Sequence, residues 1–234
     1  MEQNKSVVYL IPTVLHDGAT ETIPLYVLDA VKKCSVFYVE NERTARRFLK
    51  SVWKEMVIDN YEWINIHKLE TEQTTQFIQH IRKGANIGII SEAGCPGIAD
   101  PGQILVDAAH RHGAMVKPLV GPSSILLALM ASGLNGQQFM FKGYLPIDQS
   151  ERAKAIRSME DYARSNECTM IFIETPYRNN QLIDSLVKYC RPDTKLCIAV
   201  NITAPTEMIQ TKTISKWKEN LPRLGREPAI FLIN

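Results

Sequence analysis

At 234 residues, 45% hydrophobic and 22% charged, the chain has the composition of an ordinary globular protein, with room for one large domain or two small ones. No apolar run approaches the roughly 18 residues of a membrane helix, and the opening MEQNKS lacks the basic-then-apolar order of a secretory leader. A net charge of +2 identifies no partner by itself, and five cysteines without a C-x-x-C pair argue against a disulfide framework and against zinc. The expectation is a reducing, cytoplasmic compartment, no membrane and no metal.

In chain order, Val7–Ile11 reads as an apolar strand broken at Pro12. A helix is predicted from about Ile23 to Lys33, a strand over Val36–Val39 and a helix over Arg43–Trp53. Tyr61–Leu69 is ambiguous, and Thr71–Lys83 is a helix with Phe77, Ile78 and Ile81 on one face. Ile87–Ile90 has the unbroken apolar character of a strand buried on both faces. The loop after it carries Gly94, Pro96, Gly97, Pro101 and Gly102, with Asp100-Pro101 suited to start a helix. Val116–Val120 is a second apolar run, Gly121-Pro122 breaks it, and Ser123 or Ser124 can cap a helix ending near Gly133. Two such strand–loop–helix turns in succession place backbone N–H groups at the carboxyl edge of a parallel sheet, where open α/β sheets bind ligands.

Asn135-Gly136 marks a turn and a predicted boundary between domains 1–134 and 135–234. Beyond it, strands are expected at Phe139–Leu145, Met170–Ile173, Lys195–Val200 and Ala229–Ile233. Helices are expected at Gln149–Arg164 and Arg178–Tyr189, and Glu207–Ile214 alternates as an antiparallel strand does. The fold class is therefore α/β in two domains, a parallel sheet and a mixed one, with a ligand cleft expected between them.

Residues 91–101 are more than a tight strand-to-helix connection needs, since such loops usually take roughly 2–6 residues. Neither G-x-G-x-x-G nor G-x-x-x-x-G-K occurs, which removes the usual support for a dinucleotide or nucleoside triphosphate. A loop that only turns the chain fits the same glycines and prolines. Arg43, Arg46, Arg47, Lys50 and Lys54 fall on one helical face, which suits a phosphate backbone or simple solvation. Cys95 is a reactive thiol or a small turn residue.

The segments IISEAGCPGIADPG (89–102), PLVGPSSILLALMASGL (118–134), FKGYLP (141–146) and ETPYR (174–178) resemble the tetrapyrrole methylase superfamily. Within it they are most similar to the branch that methylates a ribose 2′-oxygen of small-subunit ribosomal RNA, as are YLIPT (9–13) and ENERTARRFL (40–49). The resemblance implies a tetrapyrrole methylase-like fold, S-adenosylmethionine as cofactor, an RNA substrate and a homodimer. It implies cofactor contacts from Pro12, Ser91, Glu92, Ala93, Gly94, Ile98, Ala99, Asp100, Ser123, Ser124 and Pro228. Substrate contacts are expected from Arg43, Arg46, Arg47, Tyr144 and Arg178. Glu40, at the end of a strand, is the candidate general base for a ribose hydroxyl; a solvated carboxylate near a helix start is the alternative. The chain departs from the family pattern at Glu92 and Asn41, where aspartate is usual. It also departs at Tyr177, in the place of a histidine, and at Ala204, in the place of a lysine. A tetrapyrrole or other small-molecule substrate, and a silent protein that only binds S-adenosylmethionine, are the competing functions.

Overall fold

The computed structural model describes residues 5–66, 71–100 and 102–234. The chain forms two compact units, Met1–Ser123 and Ser124–Asn234.

The first unit runs β1 (Val7–Ile11), α1 (Tyr26–Val31), β2 (Val36–Val39), α2 (Glu42–Val52), β3 (Glu62–Asn65), α3 (Thr71–Arg82), β4 (Ile87–Ile90), α4 (Gln103–Arg111) and β5 (Met115–Pro118). The strands are all parallel, in the order β3-β2-β4-β1-β5. Every residue of β2 and β4 is buried, as strands covered on both faces require. Alternation along the strands divides the core in two. Tyr9, Ile11, Phe37 and Val39 pack with Val27, Val31, Phe48 and Leu49 of α1 and α2. Val8, Val36, Tyr38, Ile87 and Ile89 pack with Phe77, Ile81, Leu105 and Ala108 of α3 and α4. The helix after β1 thus covers one face and the helix after β4 the other, although the two strands are neighbours. Their carboxyl ends form the crevice where doubly wound sheets take ligands.

The second unit holds α5 (Ser124–Ser132), β6 (Phe139–Tyr144), α6 (Gln149–Ser165), β7 (Thr169–Ile173), α7 (Asn179–Tyr189), β8 (Lys195–Val200), β9 (Met208–Thr213), α8 (Ile214–Glu219) and β10 (Ala229–Ile233). Its sheet, β6-β7-β10-β8-β9, is parallel at β6–β7 and antiparallel elsewhere. One core joins Met170, Phe172, Ile198 and Phe231 to Ile156, Leu182, Leu186 and Trp217 of α6, α7 and α8.

Three sequence expectations change. The helix α5, assigned above to the first domain, groups with the second unit, where it packs on β9 and β10 and its Ser132 carbonyl accepts from the Thr211 hydroxyl at 2.7 Å. A uniformly apolar helix carries no periodicity to say which sheet it covers. The helix α8 has no counterpart in the sequence reading, because six residues are too few for a periodic signal. Asp100 does not cap α4: the N-cap is Gly102 at φ 121°, without a side-chain cap. Pro101, and the part of the Tyr61–Leu69 segment beyond Ile66, lie outside the described residues.

Candidate active site

The loop that follows β4 is tied to its neighbours by backbone groups. The Thr13 N–H donates to the Gly94 carbonyl at 2.9 Å, and the buried Thr13 hydroxyl donates to the Ser91 carbonyl at 3.4 Å. On the β2 side, the Glu40 N–H donates to the Ile90 carbonyl at 3.1 Å, and a Glu40 carboxylate oxygen accepts from the Glu92 N–H at 3.0 Å. Glu40 is therefore a fixed carboxylate at the crevice, not a freely solvated one.

On the β5 side the fit is closest between Gly121 and Pro12. A Cβ on Gly121 would lie 2.1 Å from the Pro12 Cβ. Cys95 donates its thiol toward the Pro122 carbonyl at 3.5 Å and is pushed up by burial, so it serves as a turn residue rather than a reactive thiolate. Gly94 and Gly97 have φ of 75° and 80°, and Ala99 shares that left-handed region at 64°. The requirement at Gly97 is conformational, since nothing lies within 4 Å of a Cβ built there. A close approach of backbone to ligand at Gly97 is not needed to explain that glycine.

Three carboxylates gather at this edge. Asp100 is pushed up to about 6, first by burial, then by the charge of Glu40 and, less, of Glu92; the Ser91 hydroxyl opposes the shift. The Ser91 oxygen is itself buried and lies near enough to Asp100 to oppose its shift, although it makes no hydrogen bond of ordinary length among the described residues. A half-buried acid facing other acids favours a cationic ligand, or a proton in its place. The folded state thus holds the Asp100 proton to a higher pH than the unfolded chain, whose value is near 3.8. Its contribution to stability is complete below that value and is lost as pH rises through about 6. Asp100→Asn is expected to remove this loss. The stability of the variant relative to wild type, from urea titrations at intervals between pH 4 and pH 7, should rise with pH; a pH-independent difference would show an unshifted carboxyl.

Beside this edge, on the α2 side, lies a cavity of about 340 Å³ lined by Thr13, Asp17, Thr44, Arg47, Phe48 and Ser51 together with Ser91–Ala93. Apart from Arg47 and the Ser91–Ala93 segment, sequence reasoning missed these residues. The signal was present in the length of the β1–α1 connection and its Asp17-Gly18 turn.

The basic face of α2 is smaller than its spacing implies. Asn41 caps the helix, accepting from the Arg43 and Thr44 N–H groups at 3.0 and 3.3 Å, so asparagine fills the capping role of an aspartate there. Arg46 pairs with Glu42 at 2.5 Å and lies over the Trp63 ring. Lys50 donates to the Lys54 and Met56 carbonyls, and Lys54 lies beyond the helix end. Arg47 reaches Asp17 at 3.2 Å, and Arg43 is exposed without an ion pair among the described residues. Arg43 and Arg47 stay exposed on the helix, Arg47 beside Asp17.

Pro12, Ser91, Glu92, Gly94, Asp100 and Glu40 are thus brought together in the first unit. Ala93 lines the cavity, the exposed Ile98 lies further along the loop, and Ser123 immediately precedes α5. In the second unit Ser124 begins α5, Pro228 precedes β10 and accepts from the Asn201 N–H at 3.0 Å, and Tyr144 ends β6. Arg178 lies over the Tyr177 ring and donates twice to one oxygen of buried Glu174, at 2.7 and 3.0 Å.

A ligand-binding α/β protein with an acidic, backbone-rich crevice is the class these features define. The family model for Tetrapyrrole (Corrin/Porphyrin) Methylases matches residues 17–217, and the chain belongs to that family. It is an S-adenosylmethionine-dependent methyltransferase. Among curated relatives, Ribosomal RNA small subunit methyltransferase I of Buchnera aphidicola subsp. Acyrthosiphon pisum is 28% identical over 97% of this chain and 78% of its own. The protein of the same name from Micromonospora olivasterospora is 29% identical over 88% of this chain and 62% of its own. Among solved structures, diphthine synthase superposes with a TM-score of 0.68 at 14% identity, covering 97% of this chain and 89% of the other. Uroporphyrin-III-C-methyltransferase from Thermus thermophilus gives 0.55 at 18% identity, covering 98% and 92%. At these identities the two structures share the fold alone. No helix among the described residues is long and apolar enough to cross a membrane.

Proposed function

We propose that the protein methylates ribosomal RNA on a ribose 2′-oxygen, with the donor held at the carboxyl edge of the first sheet. The observation that carries this reading is the fixed Glu40 carboxylate beside the loop that follows β4. When bound, S-adenosylmethionine supplies an electrophilic methyl on a sulfonium, whose carbon–sulfur bond breaks with the electron pair remaining on sulfur. The chain's own residues then have separable tasks. Pro12, Ser91–Gly94 and Ser123 present backbone to the donor, and the Ser91 hydroxyl offers it a buried polar contact. Asp100 and Glu92 complement the donor's cationic groups, which fits a site that holds Asp100 up to about 6 without one. Glu40 accepts the proton that the ribose hydroxyl gives up as its oxygen bonds to the methyl carbon. Arg43 and Arg47 meet phosphates. The names of the relatives support ribosomal RNA, and a cytoplasmic homodimer belongs to the same reading.

The test is transfer of labelled methyl from S-adenosylmethionine to ribosomal RNA, with hydrolysis-based mapping of 2′-O-methylation. Label in RNA at a 2′-oxygen is expected. Label only in an added tetrapyrrole would establish the small-molecule alternative, and donor binding without transfer to either would leave a binding protein.

A further inference from the structure

Hydrogen-bond partners are unevenly shared where β7 runs into α7. The strand ends at Ile173, and the chain turns through Glu174 and Thr175 toward the helix. Glu174 is buried, and its Oε1 takes all the donors at hand: the Thr175 N–H at 2.6 Å, the Thr175 hydroxyl at 3.2 Å and the Arg178 guanidinium at 2.7 and 3.0 Å. Its Oε2 is sealed from solvent and accepts from no group among the described residues. Two more oxygens share that condition, Oδ1 of the fully buried Asn179 and Oε2 of Glu227.

The three residues belong to one place. Ile173 pairs with Ile230 across antiparallel β7 and β10, which sets Glu174 opposite Ala229. Residues directly opposite share a face of the sheet, as do residues two apart, so Glu227 lies on the Glu174 side. That is the α7 side, where Leu182 and Leu186 pack with Phe172 and Ala229. Asn179 opens α7 and donates through Nδ2 to the Glu227 carbonyl at 2.8 Å, a bond that fixes the amide and leaves Oδ1 as its open acceptor. Asn180 clamps the same loop, donating to the Leu224 carbonyl at 2.7 Å and accepting from its N–H at 2.9 Å.

Only acceptors remain open here, and their charge is unbalanced. Arg178 pairs with Glu174, whereas Glu227 has no ion pair among the described residues. Buried acceptors without donors are costly, and charge without a counter-charge more so. A cation meets both needs, and an all-oxygen set selects a hard one. Two carboxylates against one guanidinium leave a single negative charge, which the positive start of α7 trims further. One positive charge therefore balances the site and two would overload it. We propose that Glu174, Asn179 and Glu227 bind a monovalent metal cation, sodium or potassium, which locks the turn that carries Tyr177 and Arg178. The site lies within the second unit and stands apart from the RNA reading.

The test is the thermal midpoint of the whole protein in choline, sodium, potassium and magnesium salts at equal ionic strength. Sodium or potassium is expected to raise the midpoint above that in choline by about 3–6 °C at ten times its dissociation constant, the shift one occupied site gives a chain of this length. Glu227→Gln keeps the size of the side chain, removes its charge and should abolish the shift. Glu167→Gln, at an exposed carboxylate elsewhere in the unit, should retain it. Thallium(I), a potassium substitute, should bind by equilibrium dialysis at one ion per wild-type chain, be displaced by potassium, and bind about tenfold more weakly to Glu227→Gln. Equal midpoints in choline, sodium and potassium overturn the site, as does a shift that survives in Glu227→Gln. A rise in magnesium alone overturns the monovalent assignment. Should Glu227→Gln fail to fold, a wild-type chain that binds no thallium overturns the proposal by itself.

Discussion

Gly121→Ala is expected to cost the protein most of its affinity for S-adenosylmethionine while leaving a folded chain. The new Cβ would sit 2.1 Å from the Pro12 Cβ and 2.4 Å from its Cγ, far inside contact distance. A proline ring has no rotamer that clears the space, and Pro12 follows directly on β1. The partner segment is tied as well, because the Leu119 N–H donates to the Leu10 carbonyl at 3.1 Å. Relief must come from residues 121–123 lifting off Pro12. Such overpacking costs about 1–3 kcal/mol, which in affinity is about five- to 150-fold. Moving Pro122 also withdraws the carbonyl that holds Cys95, next to Gly94 in the loop that follows β4. Calorimetric titration with the donor reads the effect, and a thermal scan verifies folding. A folded variant with unchanged donor affinity would separate the Pro12–Gly121 contact from the cofactor site.

That contact shows where the sequence was legible and where it was not. The strand-and-loop pattern at Ile87–Gly102 and Val116–Ser124 marks the carboxyl edge of the parallel sheet from residue types alone, because unbroken apolar runs and clustered breakers are local signals. Gly121 is visible as a turn residue, yet its packing against Pro12 is a contact across a large sequence separation. The five basic residues of 43–54 show the opposite failure. Their spacing is local, but Arg46 is directed to Trp63 and Lys50 to carbonyls beyond the helix end, partners no spacing rule specifies. Thr13, Thr44 and Ser51 look like ordinary polar residues until the structure lines one cavity with them. For Asn41 the sequence suggests a loss relative to the family pattern, whereas the helix start shows the capping function intact.

Glu40→Gln is expected to reduce methyl transfer by about 10²–10⁴-fold, the usual worth of a positioned proton acceptor. The substitution is nearly isosteric, and the amide oxygen accepts the Glu92 N–H as the carboxylate does, so the loop keeps its anchor. What is lost is the negative charge and the basic oxygen. Two further readouts distinguish proton transfer from support of the site. Donor affinity, measured by calorimetry, should change far less than turnover, because the proposed donor site keeps Asp100 and Glu92 to face the cationic groups. The Asp100 carboxyl should titrate lower than about 6, since the charge of Glu40 is the second cause of its upward shift after burial. That displacement is visible as a shift to lower pH of the stability loss that Asp100→Asn removes. If Glu40→Gln moves the Asp100 titration and leaves turnover at the wild-type value, Glu40 is an electrostatic neighbour and the ribose proton leaves by another route. If turnover collapses with donor affinity intact, the strand-end carboxylate is the base.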